Sequence, residues 1–176
     1  MTTESDRPAD AAEPTAEACD GIEGVATIDA SIARLATGRV TGLRASIATR
    51  RLTPSLTISP LDGLGAAEGD LAWWSGRPTQ SADPPPLDWP LRREIAMRLL
   101  GHAPGRDLLA VWTRPGPPEA TDGDHEWAAA LRHAAAAYDG PAPKCLVVTR
   151  WGWLLLPDGA GRRWSTSRIP KRAATS

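Results

Sequence analysis

Two apolar segments of this chain run into the same two residues, and this repetition constrains the fold more than any other feature. Residues 107–113 end in a threonine and are followed by Arg114, and residues 144–150 end in the same Thr-Arg pair. A segment long enough for a helical crossover lies between them, so the pattern predicts two parallel strands joined through a helix. Open sheets bind ligands at the carboxyl ends of such strands. We therefore expect Arg114 and Arg150 to stand near each other at one edge of a sheet.

Three helices are predicted from apolar spacing and capping residues. The first begins after Thr27 and can end at Gly38, the second begins after Asp88, and the third begins after Thr121 or Asp122. Residues 39–51 are compatible with a second short helix or with a strand. On the helix after Asp88, the pattern predicts one apolar face and one basic face. The apolar face is Leu91, Ile95 and Leu99, and the basic face holds Arg92, Arg93 and Arg98.

Further strands are predicted on both sides of the βαβ unit. Residues 55–59 and 70–74 alternate or cluster apolar side chains and can pair as an antiparallel hairpin. Residues 151–156 lead into an Asp-Gly turn, which favours a returning strand near Arg162. We predict a single α+β domain over residues 25–168. It has a mixed sheet, a C-terminal βαβ unit followed by a β-hairpin, and two or three packed helices.

The charge of the chain is divided unevenly between a tail and a body. Of 21 acidic and 20 basic residues, seven acids and one base lie in residues 1–24, which leaves 14 acids and 19 bases elsewhere. This composition predicts a disordered acidic tail over 1–24, and residues 169–176 are predicted to be a loose basic C-terminus. The tail either keeps the chain soluble or imitates an anionic partner of the basic body.

The cysteines and the apolar runs indicate in which cellular compartment the protein is found. Cys19 and Cys145 form no disulfide framework and show no metal-ligand spacing. No secretory leader is visible at the acidic N-terminus, and no apolar run approaches the roughly 18 residues of a membrane span. We expect a cytoplasmic protein that contacts no membrane and uses no metal or cofactor.

Arginine and tryptophan are concentrated near the C-terminal hairpin. Protein interfaces favour these two residue types, and single-stranded nucleic acid is also bound by basic and flat aromatic side chains. Alternatively, Trp151 and Trp153 are two residues apart and point together into the core. With Arg114, the candidate binding residues are Arg150, Trp151, Trp153, Arg162 and Arg163.

Two of the candidate sites have structural alternatives. Arg114 either binds an anion beside the start of the following helix, or it pairs with Glu119, Asp122 or Asp124 and fastens the loop. The acidic cluster at the start of that helix either holds a divalent ion or complements the helix dipole. The cluster consists of Asp122, Asp124, His125 and Glu126.

Motifs for catalysis and nucleotide binding are weak throughout the sequence. No G-x-S-x-G, P-loop or dinucleotide fingerprint occurs, and residues 28–51 fit a helix-turn-helix poorly because the turn lacks small and apolar neighbours.

The sequence favours a non-enzymatic cytoplasmic binding or adaptor protein that contacts a protein partner through its Arg/Trp-rich edge. One alternative is a nucleic-acid-associated protein that uses the basic body. Another is a small enzyme that clamps an anionic substrate with Arg114 and Arg150.

Overall fold

The fold is built on one mixed six-stranded sheet. The computed structural model describes residues 30–46, 52–64, 70–76 and 87–164. The elements in chain order are α1 (Ala30–Ser46), β1 (Ser55–Pro60), a 3-10 turn (Leu61–Gly63), β2 (Ala72–Ser75), α2 (Trp89–Leu100), β3 (Leu108–Thr113), α3 (Asp122–Ala137), β4 (Lys144–Thr149), β5 (Gly152–Leu156) and β6 (Gly161–Arg163). The strand order is β2-β1-β3-β4-β5-β6. This confirms the predicted α+β domain with a mixed sheet. The predictions for residues 1–24, the Thr27 cap, residues 47–51 and residues 169–176 lie outside the described residues.

The βαβ unit forms as the repeated Thr-Arg pattern predicts. Strands β3 and β4 are parallel neighbours, with Leu109 opposite Lys144 and Thr113 opposite Val148. The pairs β1–β2, β1–β3, β4–β5 and β5–β6 are antiparallel. The two Thr-Arg pairs therefore stand side by side at the same end of two adjacent strands.

The two faces of the sheet are covered differently. Helices α2 and α3 pack on one face around a tryptophan cluster, in which the ring centroids of Trp112 and Trp127 are 5.2 Å apart and those of Trp74 and Trp127 are 5.7 Å apart. Of the described helices, α1 covers the other face, with a stripe of buried side chains one turn apart. This stripe is Ile32, Ala36 and Val40.

Gly38 does not end α1, which continues to Ser46. A glycine inside a helix costs about 1 kcal/mol relative to alanine. Burial of an apolar side chain such as Val40 contributes about 1.5–3 kcal/mol, so packing on the sheet outweighs that cost. The helix-turn-helix interpretation is wrong for residues 30–46, because one continuous helix passes through the position of the expected corner.

The faces of α2 also differ from the prediction at two positions. Leu91 is 46% exposed, whereas Arg92 is only 8% exposed. The guanidinium of Arg92 lies 5.9 Å from the centroid of the Trp127 ring and forms an ion pair with Glu126. An aliphatic stem and a flat guanidinium can cover an aromatic ring as an apolar residue does, so Arg92 takes a core position that the apolar pattern assigned to Leu91.

Candidate functional site at the Thr-Arg end of the sheet

Arg114 is buried at the end of β3, and its side chain bonds entirely within the protein. Its Nε and one Nη donate to the two carboxylate oxygens of Asp124, at 2.7 and 2.6 Å. The remaining donors reach the carbonyl oxygens of Pro115, Pro117 and Glu119 at 2.7–3.1 Å. A guanidinium has five N–H groups, and all five have partners here. Arg114 thus fastens the loop between β3 and α3, as the structural alternative predicts.

Asp124 is the centre of a buried polar network. Its carboxylate is fully buried and also accepts hydrogen bonds from the Trp112 indole at 3.0 Å and from the backbone N–H of Thr121 at 2.9 Å. Burial disfavours the charged carboxylate, but the hydrogen bonds and the charge of Arg114 outweigh this effect. Together with the Thr121 bonds, they hold the pKa of Asp124 below its ordinary value. Thr121 and Asp124 form a capping box at the start of α3.

The residues of the acidic cluster have different contacts and roles. Asp124 belongs to the buried network, and Glu126 pairs with Arg92. Asp122 and His125 are exposed on the first turn of α3. Within the described residues, no group of three or more His, Cys, Asp or Glu side chains could hold a metal ion. The capping role expected for acids at a helix start is present at Asp124.

Arg150 has a different environment at the end of the neighbouring strand. Its guanidinium lies 5.0 Å from the centroid of the Trp151 ring, and the Arg162 guanidinium lies 5.1 Å from that of Trp164. The backbone N–H of Trp164 donates to the carbonyl oxygen of Trp151 at 2.8 Å, so the two Arg–Trp pairs are adjacent. We call Arg150, Trp151, Arg162 and Trp164 the Arg/Trp patch. Arg162 is exposed, and the other three are partly exposed.

The turn before β5 explains why Arg150 and Arg114 diverge. The hydroxyl of Thr149 accepts a hydrogen bond from the Trp151 N–H at 3.1 Å and lies 3.3 Å from the Gly152 carbonyl oxygen. These contacts hold a tight turn that leads from β4 directly into β5. Gly152 is required there, because a Cβ would overlap the carbonyl oxygen of Arg162 on β6.

The other two predicted site residues neighbour the patch on β5 and β6 but have different environments. Trp153 is 4% exposed and packs with α1. The predicted core position is confirmed for Trp153 and is wrong for Trp151, which is partly exposed in the turn before β5. Arg163 forms an ion pair with Glu119, which ties β6 to the loop that Arg114 fastens.

The thiol of Cys145 is unsuited to nucleophilic chemistry. Burial, with a smaller contribution from the charge of Asp124, raises the pKa of Cys145 to about 12. The reactive species of a cysteine is the thiolate, which is scarce at neutral pH when the pKa is this high.

Sequence reasoning missed the buried network around Asp124 as a unit. The sequence shows the capping-box spacing of Thr121 and Asp124, but nothing near Trp112 in the sequence indicates that its indole reaches the same carboxylate.

No helix among the described residues is long and apolar enough to cross a membrane. No protein-family description, no curated protein and no solved structure matches this chain.

Proposed function

We propose that this chain is a non-enzymatic, cytoplasmic binding protein whose Arg/Trp patch contacts an acidic segment of a protein partner. The observation that supports the proposal is the pair of guanidinium groups stacked on adjacent tryptophans at the surface. A stacked guanidinium loses less side-chain freedom on binding, and the planar geometry of its N–H groups matches that of a carboxylate. Arg and Trp are also the residue types that dominate binding energy at protein interfaces.

The packing of the tryptophans favours a protein partner over single-stranded nucleic acid. Trp164 packs against the α1 side of the core, and its ring is covered by Arg162. Trp151 is likewise covered by Arg150. Bases bind such proteins by stacking on open aromatic faces, and these two rings already stack on arginine. The guanidinium edges thus serve as the recognition groups, and carboxylates are their natural ligands in a protein.

A charge-matched pair of variants tests this proposal. The probe is a fluorescent glutamate-rich peptide of about twelve residues, and its binding to the full chain is measured by anisotropy. We expect R150A/R162A to weaken binding by about tenfold or more, as for loss of interface hot spots. The control R34A/R93A removes two exposed arginines elsewhere and should change binding by less than about twofold. No measurable binding to the unaltered chain, or equal losses in both variants, would overturn the proposal.

The same titration with an oligo(dT) of about twelve nucleotides tests the nucleic-acid alternative. Phosphate-driven binding weakens steeply between about 50 and 200 mM salt. We expect the oligonucleotide to bind more weakly than the peptide at about 150 mM salt. Tighter binding of the oligonucleotide, with a steep salt dependence that R150A/R162A reduces, would replace the protein-binding proposal with the alternative.

A further inference from the structure

A groove of about 500 Å³ lies between α1 and the part of the sheet that α1 does not cover. Helix α1 packs over β4 and β5, so its other side overhangs β1 and the end of β3. The groove is separate from the Arg/Trp patch, and none of the patch residues lines it. Its volume is within the range of small-molecule sites in proteins.

The roof of the groove contains two glycines that lie one helical turn apart. Gly38 and Gly42 are exposed, and both line the groove. A Cβ placed on either glycine would meet no described atom within 4 Å. Alanine is the better helix former, so packing among the described residues does not account for glycine at either position. The two glycines leave room for something that approaches the backbone of α1 closely.

The floor of the groove is lined by hydroxyl-bearing residues from neighbouring strands. Ser55 on β1 is the register partner of Thr113 on β3, and Thr57 lies two residues further along on the same face. The Thr57 hydroxyl is screened from water and has no hydrogen-bond partner among the described residues. Rotation of its side chain to another staggered rotamer would turn the hydroxyl to a new direction. Leu35 and Leu43 add apolar walls above this floor.

The charge of the described groove lining is already neutralised. Arg39, the charged residue of the described lining, forms an ion pair with Asp70, and this carboxylate also accepts the Ser59 hydroxyl at 2.7 Å. Because Asp70 balances the charge of Arg39, the guanidinium attracts an anion only weakly, and a cation would meet Arg39 itself. The lining therefore suits a ligand without charge that combines an apolar body with hydroxyl or amide groups.

We infer that this groove binds an uncharged small molecule that places its hydrogen-bonding groups on the strand hydroxyls and its apolar body between the leucines. The glycines of α1 admit the ligand to the helix backbone. The inference does not depend on the proposed function of the Arg/Trp patch.

Protein-detected NMR on the ¹⁵N-labelled full chain tests this inference with named probes. The uncharged probes are benzamide, benzyl alcohol and cyclohexanol, and the charged counterparts are benzoate and benzylamine. We expect saturable shifts of the Gly38, Gly42 and Thr57 amide signals with at least one uncharged probe. Affinity for the charged counterparts should be at least about tenfold weaker.

Two substitutions to leucine separate filling of the groove from a general effect of added bulk. G42L fills the groove and improves helix propensity, so the variant should fold and lose the probe-induced shifts. A136L adds the same side chain on the exposed face of α3 and should leave the shifts intact. The dispersion of the amide spectrum reports that both variants are folded.

Any one of the following results would overturn the inference. The first is the absence of saturable shifts with every uncharged probe up to its solubility limit. The second is unchanged binding in folded G42L, or equal binding of benzoate. The third is a dependence of the Gly38 and Gly42 signals on protein concentration without probe, which would assign the groove to a second copy of the chain.

Discussion

Arg114 and Arg150 come after the same residue type at the ends of adjacent parallel strands, yet they end in opposite environments. Arg114 is buried and bonded through all five donors, while Arg150 is partly exposed and stacked on Trp151. The difference comes from the chain segment after each strand. A loop of carbonyl groups and a helix with an inward carboxylate close around Arg114, and a short turn into β5 leaves Arg150 at the surface. The Thr-Arg pair places an arginine at the end of each strand, and the residues that follow determine whether that arginine is buried or exposed.

The largest predicted effect is the loss of the Arg114 side chain. R114A leaves the buried Asp124 carboxylate without its charge partner, which costs about 3–5 kcal/mol in the free energy of unfolding. R150A removes a partly exposed stack and should cost less than about 1 kcal/mol. Urea denaturation of both variants measures the difference. Equal losses would contradict the assignment of separate roles.

Acid should expose the same network with a smaller effect. The pKa of Asp124 is lower in the folded chain than its ordinary value of 3.8. The stabilisation it gives is therefore complete above the unfolded pKa and is lost as the pH falls through the folded pKa. We expect the free energy of unfolding to decline below about pH 4, and to decline less in R114M/D124L, which replaces both partners by apolar groups. Identical acid dependence in the two proteins would rule out this role of Asp124.

The two threonines of the repeated motif sharpen the comparison further. Thr149 is fully buried, and its hydroxyl bonds the turn, so T149V leaves a turn N–H without its partner and should cost about 1–2 kcal/mol. Thr113 is partly exposed at the groove, and T113V should change stability by less than about 0.5 kcal/mol. Thermal unfolding of the two variants provides the measurement. A larger loss for T113V than for T149V would show that the turn hydrogen bond is unimportant.

The smallest predicted effect concerns the stack at the Arg/Trp patch. W151L removes the aromatic face under Arg150 and keeps an apolar side chain, so it should cost only about 0.5 kcal/mol in stability. The same variant should weaken binding of the glutamate-rich peptide by about fivefold, because Arg150 loses its fixed orientation. A double-mutant cycle with R150A checks that the two effects are coupled. Additive losses in the cycle would contradict a role for the stack.

The elements with complete local signals could be predicted from the sequence. The βαβ unit is predictable from two apolar strands, a capping residue and the spacing of Trp127 and Leu131. The prediction that the first helix ends at Gly38 is wrong because the helix-propensity cost of glycine, about 1 kcal/mol, is smaller than the gain from packing α1 on the sheet. The prediction that Arg92 lies on the basic face of α2 is wrong because its contact with Trp127 joins two helices that are distant in the sequence.

The candidate site was predictable in position and only partly in composition. The repeated Thr-Arg pair located the edge, because the crossover determines strand polarity. Which arginine would be buried depended on Asp124 folding back over the strand end, and on Trp112 sharing that carboxylate. Trp151 and Trp164 came together through the β5–β6 pairing, which sequence spacing alone does not orient.

Hydrogen exchange of the arginine Nε–H groups tests the contrast between the two sites most directly. The Nε–H of Arg114 donates to a buried carboxylate, so its NMR signal should persist at neutral pH and stay unmoved when the glutamate-rich peptide is added. The signal of Arg150 should exchange rapidly and become protected in the peptide complex. Equal protection of both groups in the unbound chain, or a peptide-induced change at Arg114 and none at Arg150, would contradict the account.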